Sequence, residues 1–203
     1  MPDQYGENEI LRTFFNGQRG GMVVDVGAAD GVTHSNSLML IEEYGWSGLL
    51  VEPLPSHLEV LRRIHRDNPK VTIVESAVGY QCGTVQLHPH GQISTIKPAW
   101  KANAERAHVA KYGRPIDVAC SPLADILAAH SVVRIDFLTV DCEGADWDVL
   151  DTLDWQRWTP RLICTEGRNP PVDRCAWMAQ RGYTHYTSTR GNALWVQSNG
   201  NAL

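Results

Sequence analysis

No run of apolar residues in this 203-residue chain approaches the ~20 that a membrane-spanning helix requires. The opening residues, MPDQYGENEILRTFF, also lack the apolar stretch of a signal core. The expectation is a cytoplasmic protein with no membrane partner. A CxxC pair is missing as well: the five cysteines stand at 82, 120, 142, 164 and 175. An odd number without a leader favours reduced thiols over disulfides. There is no basic face to read, because 18 Lys and Arg face 23 Asp and Glu for a net charge of -5. That balance argues against a nucleic-acid partner. Both glycine signatures of phosphate binding, GxxxxGK[ST] and GxGxxG, are absent after the strand-like segments. The HPH at 88 to 90 has no cysteine or carboxylate at zinc-ligand spacing. Repeats, linkers and low-complexity tracts are lacking too.

What is present is ordinary for one globular domain, with 43% hydrophobic and 20% charged residues. Continuous apolar runs predict strands near 22–26, 48–52, 71–75, 135–140 and 161–165, of the kind that both faces of a parallel sheet bury. Helical patterns fall between them, at 37–44, 56–66, 122–130 and 145–153, the third opening on Ser121 as cap and Pro122 in the first turn. The alternation predicts an α/β doubly wound sheet. Residues 79–88 read as a turn feeding a strand, and 89–113 as a polar excursion suited to a substrate lid, with Trp100 as a sugar-stacking aromatic. The alternating GYTHYTS and NALWVQS predict a closing antiparallel hairpin about Thr189, Arg190 and Gly191. Cys142 and Cys164 lie in apolar runs and read as buried small residues, and Trp46 and Trp147 as core.

Ligands of open α/β sheets bind beyond the carboxyl ends of the strands. Here those ends are acidic: Asp25 before the small GAADG loop, Glu52 before Pro53, Asp141 and Glu143, and Glu166. Carboxylates in that place would repel a pyrophosphate and suit a cationic or hydroxyl-rich ligand. Glu52, ending the second strand, is placed to accept hydrogen bonds from a ribose diol. A nucleoside carrying a cationic centre and an amino-acid tail instead of phosphates, S-adenosylmethionine, satisfies both conditions. Asp30 and Gly31 of the loop and Pro53 belong to the same expected edge, and Ser35 and Asn36 either cap the next helix or reach the methionine tail.

The chain resembles the FkbM family of S-adenosylmethionine-dependent methyltransferases through QYGENEIL (4–11), DVGAADGVTHSNS (25–37), GWSGLLVEPLP (45–55), the AV of ESAVG (75–79), IDFLTVDCEGADWDVL (135–150), PRLICTEG (160–167) and the terminal GY and NALWV segments. The resemblance implies the class I methyltransferase (Rossmann-like) fold, seven strands with the last antiparallel. It implies that Asp25, Gly27 and Ala28 border the methionine portion, that Glu52 binds the ribose, and that Ala77 and Val78 lie near the adenine. Substrate selection would fall to loops or to a partner.

An alcohol attacking a sulfonium must be aligned and must lose its proton, so a general base or a metal is expected. Asp141, Glu143, Glu166 and the loop histidine His34 stand in the right region, Asp141 being also a cofactor candidate. Glu143 has the alternative of capping the helix after Ala145. Asp141, Glu166 and Asn169 are the oxygen ligands that would suit a Mg²⁺ ion. The expected activity is O-methylation of a sugar hydroxyl in a glycan or glycosylated natural product, by a chain free to form a homo-oligomer. The competing readings are a catalytically silent binding module and a nicotinamide-dependent oxidoreductase, the second disfavoured by DVGAADG.

Overall fold

The structure is a computed structural model describing residues 4–90, 94, 96, 109 and 111–198. About two thirds of the lid expected at 89–113, Trp100 included, lies outside them. The described elements run α1 (Glu7–Phe15), β1 (Met22–Val26), α2 (Leu38–Glu42), β2 (Ser47–Val51), α3 (Pro55–Ile64), β3 (Val71–Val74), β4 (Ala77–Val78) and β5 (Gly83–Leu87). After these come β6 (Ile116–Ser121), α4 (Leu123–Ala129), β7 (Phe137–Val140), α5 (Asp146–Asp151), β8 (Leu162–Glu166), α6 (Val172–Gln180), β9 (Tyr183–Ser188) and β10 (Asn192–Gln197).

Seven strands form the main sheet in the order β3-β2-β1-β7-β8-β10-β9. The strands β3, β2, β1, β7 and β8 pair in parallel, and β10 is antiparallel to both its neighbours. Continuous apolar sequence is what this arrangement demands, since successive side chains enter opposite cores. Val24, Leu138 and Ile163 join one core with Leu127, Leu150 and Trp158. Val23, Phe137 and Leu162 join the other with Leu11, Phe15 and Trp46. Trp46 is fully buried, Trp147 packs on the first core, Cys164 is buried and Cys142 half-buried.

Three features differ from the sequence reading. A second sheet, β4-β6-β5, lies beside the first, and of its strands only β5 has a clear local pattern. Helices α1 and α6 are additional. Ser121 is not the cap of α4 but the last residue of β6, opposite Val78, and Pro122 takes the cap position without a side-chain bond. The orphan N–H groups of that helix are met instead by Thr152, whose Oγ1 accepts from Leu123 N (2.9 Å) and whose carbonyl accepts from Ala124 N (3.2 Å).

Candidate active site

The sheet order reverses between β1 and β7, and that crevice is where the loops after β1, β2 and β7 meet. Gly27 leaves β1 at φ +85, a conformation that suits glycine, and a Cβ there would strike the Asp141 carbonyl. The Gly27 and Ala28 N–H groups donate to Val51 O at 2.9 and 3.1 Å. Glu52, 5% exposed, accepts from Ala29 N at 2.9 Å and from Leu54 N at 2.8 Å, so backbone N–H groups orient its carboxylate.

Two lobes of empty space, about 570 and 600 Å³, open on either side of a common wall made by Gly27, Ala29, Asp141 and Glu143. Glu52, Pro53, His57, Ala77 and Val78 line the first lobe. Asp25, Ala28, His34, Ser35 and Asn36 line the second, together with Gln4, Thr33 and Thr139. Asp30 and Gly31 line neither: Asp30 ties the loop, accepting from Val32 N, Thr33 N and Thr33 Oγ1 at 2.7–2.9 Å, and Gly31 packs on Leu61. Ser35 Oγ accepts from Leu38 N at 3.1 Å and thus holds the start of α2. Asn36 donates to Thr139 Oγ1 at 3.3 Å, and its buried Oδ1 has no partner.

The acids of this crevice are crowded and dehydrated. Burial pushes Asp25 up to about 7, with Asp141 and Glu52 adding repulsion against the 2.6 Å bond from Ser37 Oγ. Burial also raises Asp141 to about 6, helped by Glu166 and Glu7 and opposed by His34. Glu143, at φ +50, rises to about 7 through burial and then through Glu166 and Asp141. The cap role considered for Glu143 is not at the helix start, since Ala145 holds that position without a side-chain bond. Asp146 instead ties the β7 loop to β8, accepting from Cys142 N and Glu166 N at 2.8 Å, and burial takes it to about 7. Glu166 and Asn169 are exposed and line neither lobe. Among the described residues no three of His, Cys, Asp and Glu are gathered to hold a metal ion.

His57 had no signal at its own position, and Gln4, Thr139 and Asp146, though inside the segments QYGENEIL and IDFLTVDCEGADWDVL that carry the resemblance, were given no role by it. His57 comes within 3.5 Å of Glu52 Oε1 because it sits one helical turn along from the Glu52-Pro53 corner. Gln4 arrives from the far N-terminus.

The model of the FkbM methyltransferase domain matches residues 25–184, from the end of β1 to β9. The chain belongs to this family. Among solved structures it is similar to the FkbM methyltransferase of Methylobacillus flagellatus KT, with 17% identity and a TM-score of 0.53. That match covers 87% of this chain but 43% of the other, so the chain spans less than half the length of that relative. It is also similar to a methyltransferase of Geobacter sulfurreducens, with 15% identity, a TM-score of 0.51 and coverage of 97% and 81%. No curated protein matches the chain. Methyltransferase families in general use S-adenosylmethionine, and nothing in this family match supports the nicotinamide reading. The crevice of this FkbM domain is chemically compatible with that group: Asp25, Asp141 and Glu143 in the second lobe suit a cationic ligand, and the space beside Gly27 is one a side chain would fill. Among the described residues no helix is long and apolar enough to cross a membrane.

Proposed function

We propose that the protein is an O-methyltransferase acting on a hydroxyl of a sugar in a glycan or glycosylated natural product. On this reading the first lobe takes the nucleoside, with Glu52 on the ribose and Ala77 and Val78 beside the adenine. The second lobe takes the methionine tail next to Asp25, Gly27 and Ala28. The cofactor supplies the electrophilic methyl group; the chain's task is to align the acceptor and to receive its proton.

The observation that carries the proposal is the pair Asp141 and Glu143 on the wall common to both lobes, with values of about 6 and about 7. A carboxylate titrating near the working pH is an effective general base, ionised enough to act and basic enough to take a proton. One of the two serves as base, and the rate is expected to rise with pH through about 6 to 7 as it ionises. His34 is not needed for that role, and Glu166 acts through its charge on the pair.

Titration calorimetry with S-adenosylmethionine tests the cofactor half. Binding at micromolar concentrations is expected, and Glu52→Ala should weaken it by about tenfold or more, since hydrogen bonds to a charged group contribute roughly 1.5–3 kcal/mol. Equal affinity in the variant would move the ribose contact elsewhere. Release of the demethylated cofactor in the presence of neutral saccharides tests the acceptor half, and turnover confined to amine acceptors would overturn it.

A further inference from the structure

The second lobe presents a problem of charge. Its acids, Asp25, Asp141 and Glu143, suit the sulfonium and ammonium of the cofactor but repel the carboxylate of the same amino-acid tail. No lysine or arginine lines the lobe among the described residues. Most of the neighbouring backbone N–H groups are already used, Gly27 and Ala28 on Val51 O, Ala29 on Glu52, Gly31 on Ala28 O, Val32 and Thr33 on Asp30, while those of His34 and Asn36 stay open at the lobe.

Side-chain donors in the lobe are mostly engaged too. Thr33 Oγ1 donates to Asp30 Oδ2 at 2.7 Å, Asn36 donates to Thr139, and Thr139 bonds Cys164. Ser35 Oγ lies 3.2 Å from Ser37 Oγ and holds the start of α2. Two side chains of the lobe carry a donor group with no hydrogen-bond partner at all among the described residues, the Gln4 amide and the His34 ring. We propose that Gln4 and His34 bind the carboxylate of the methionine tail, so that residues 4–8 are a wall of the cofactor site. The inference rests on the cofactor placement proposed above.

The N-terminal segment is fastened in a way that serves this task. Glu7 is 1% exposed, and its carboxylate accepts from Tyr5 N (2.9 Å), Thr189 Oγ1 (2.7 Å) and Asn192 Nδ2 (2.8 Å). Three donors on one buried carboxylate tie the chain before α1 to the hairpin turn between β9 and β10. The Tyr5 ring covers Gly191, leaving no room for a Cβ there. Gln4 therefore reaches the lobe from a fixed point rather than from a loose end. His34 faces the same space from the loop after β1, at φ +59, a left-handed conformation that histidine, asparagine and aspartate adopt more readily than other residues with a side chain.

The test compares S-adenosylmethionine with its decarboxylated analogue, which keeps the sulfonium and the ammonium. The parent is expected to prefer the intact cofactor. Gln4→Ala should weaken the intact cofactor by about tenfold and leave the analogue unchanged, and Gln4→Glu should weaken it further by opposing two carboxylates. His34→Asn, which tolerates the left-handed backbone, should narrow the preference in the same direction. Loss of affinity for both ligands by one factor, or for neither, would overturn the assignment while leaving the cofactor reading intact. A parent that binds neither ligand would overturn both. Melting temperatures of the variants separate a lost contact from a lost fold.

Discussion

Asp25 shows what burial does to a functional acid. Its carboxyl sits at the end of a strand that both cores cover, 6% exposed, bonded to Ser37 and facing Asp141 and Glu52. Its value in the fold is about 7 against an ordinary 3.8, so the folded chain keeps this proton where the unfolded chain has released it. Stability contributed at this site therefore falls as pH rises from about 4 to 7, and the penalty is complete above about 7. Asn is the neutral mimic. In thermal melts of the free protein, Asp25→Asn should match the parent near pH 4 and exceed it by several degrees at pH 8. A constant difference across that range would show that Asp25 does not titrate as described. The acids Asp25, Glu52 and Asp141 were legible in the sequence because a strand end is a local fact. His57, Gln4 and Asp146 were not, since nothing near them in sequence states what they face.

At the scale of elements, the helices are held by partners from elsewhere in the chain as much as by their own caps. Helix α4 has no capping side chain of its own, and Thr152, at the far end of α5, accepts from Leu123 N while donating to Val149 O at 2.7 Å. Thr152→Val keeps the shape and removes both bonds, so it should cost about 1 kcal/mol, read as a lower midpoint in urea at unchanged slope. A midpoint equal to the parent's would mean that water replaces the cap. The Ser121-Pro122 pair resembles a local start signal, and its failure has a clear cause: pairing of Ser121 with Val78 keeps it extended as the end of β6. Strand β4 is two residues long, too short for any period to declare it. Helix α1 shows its role only in place, where Leu11 and Phe15 enter the second core and the Phe15 ring meets Trp46 edge-on at 4.7 Å.

For the whole molecule, the reversal of strand order between β1 and β7 makes the crevice, and the acids that line it oppose one another until a cation arrives. A ligand that binds only the folded chain stabilises it by mass action, by about 2.7 kcal/mol at a hundredfold excess over Kd. Melts with saturating S-adenosylmethionine should therefore rise by several degrees, and by more at pH 8 than at pH 5, where the protonated acids attract the cation less. A rise that is larger at pH 5 would assign the binding energy to something other than these carboxylates.

The sequence by itself determined the parallel strands and their acidic ends, because continuous apolar runs and the residues that stop them are local patterns. Only the tertiary structure decided which acids share a wall and that Gln4 lines the same lobe as His34. The physical reasons are the pairing of β1 with β7, distant in sequence, and for Gln4 the fastening of Glu7 to Thr189 and Asn192, bonds across more than 180 residues that no local pattern encodes.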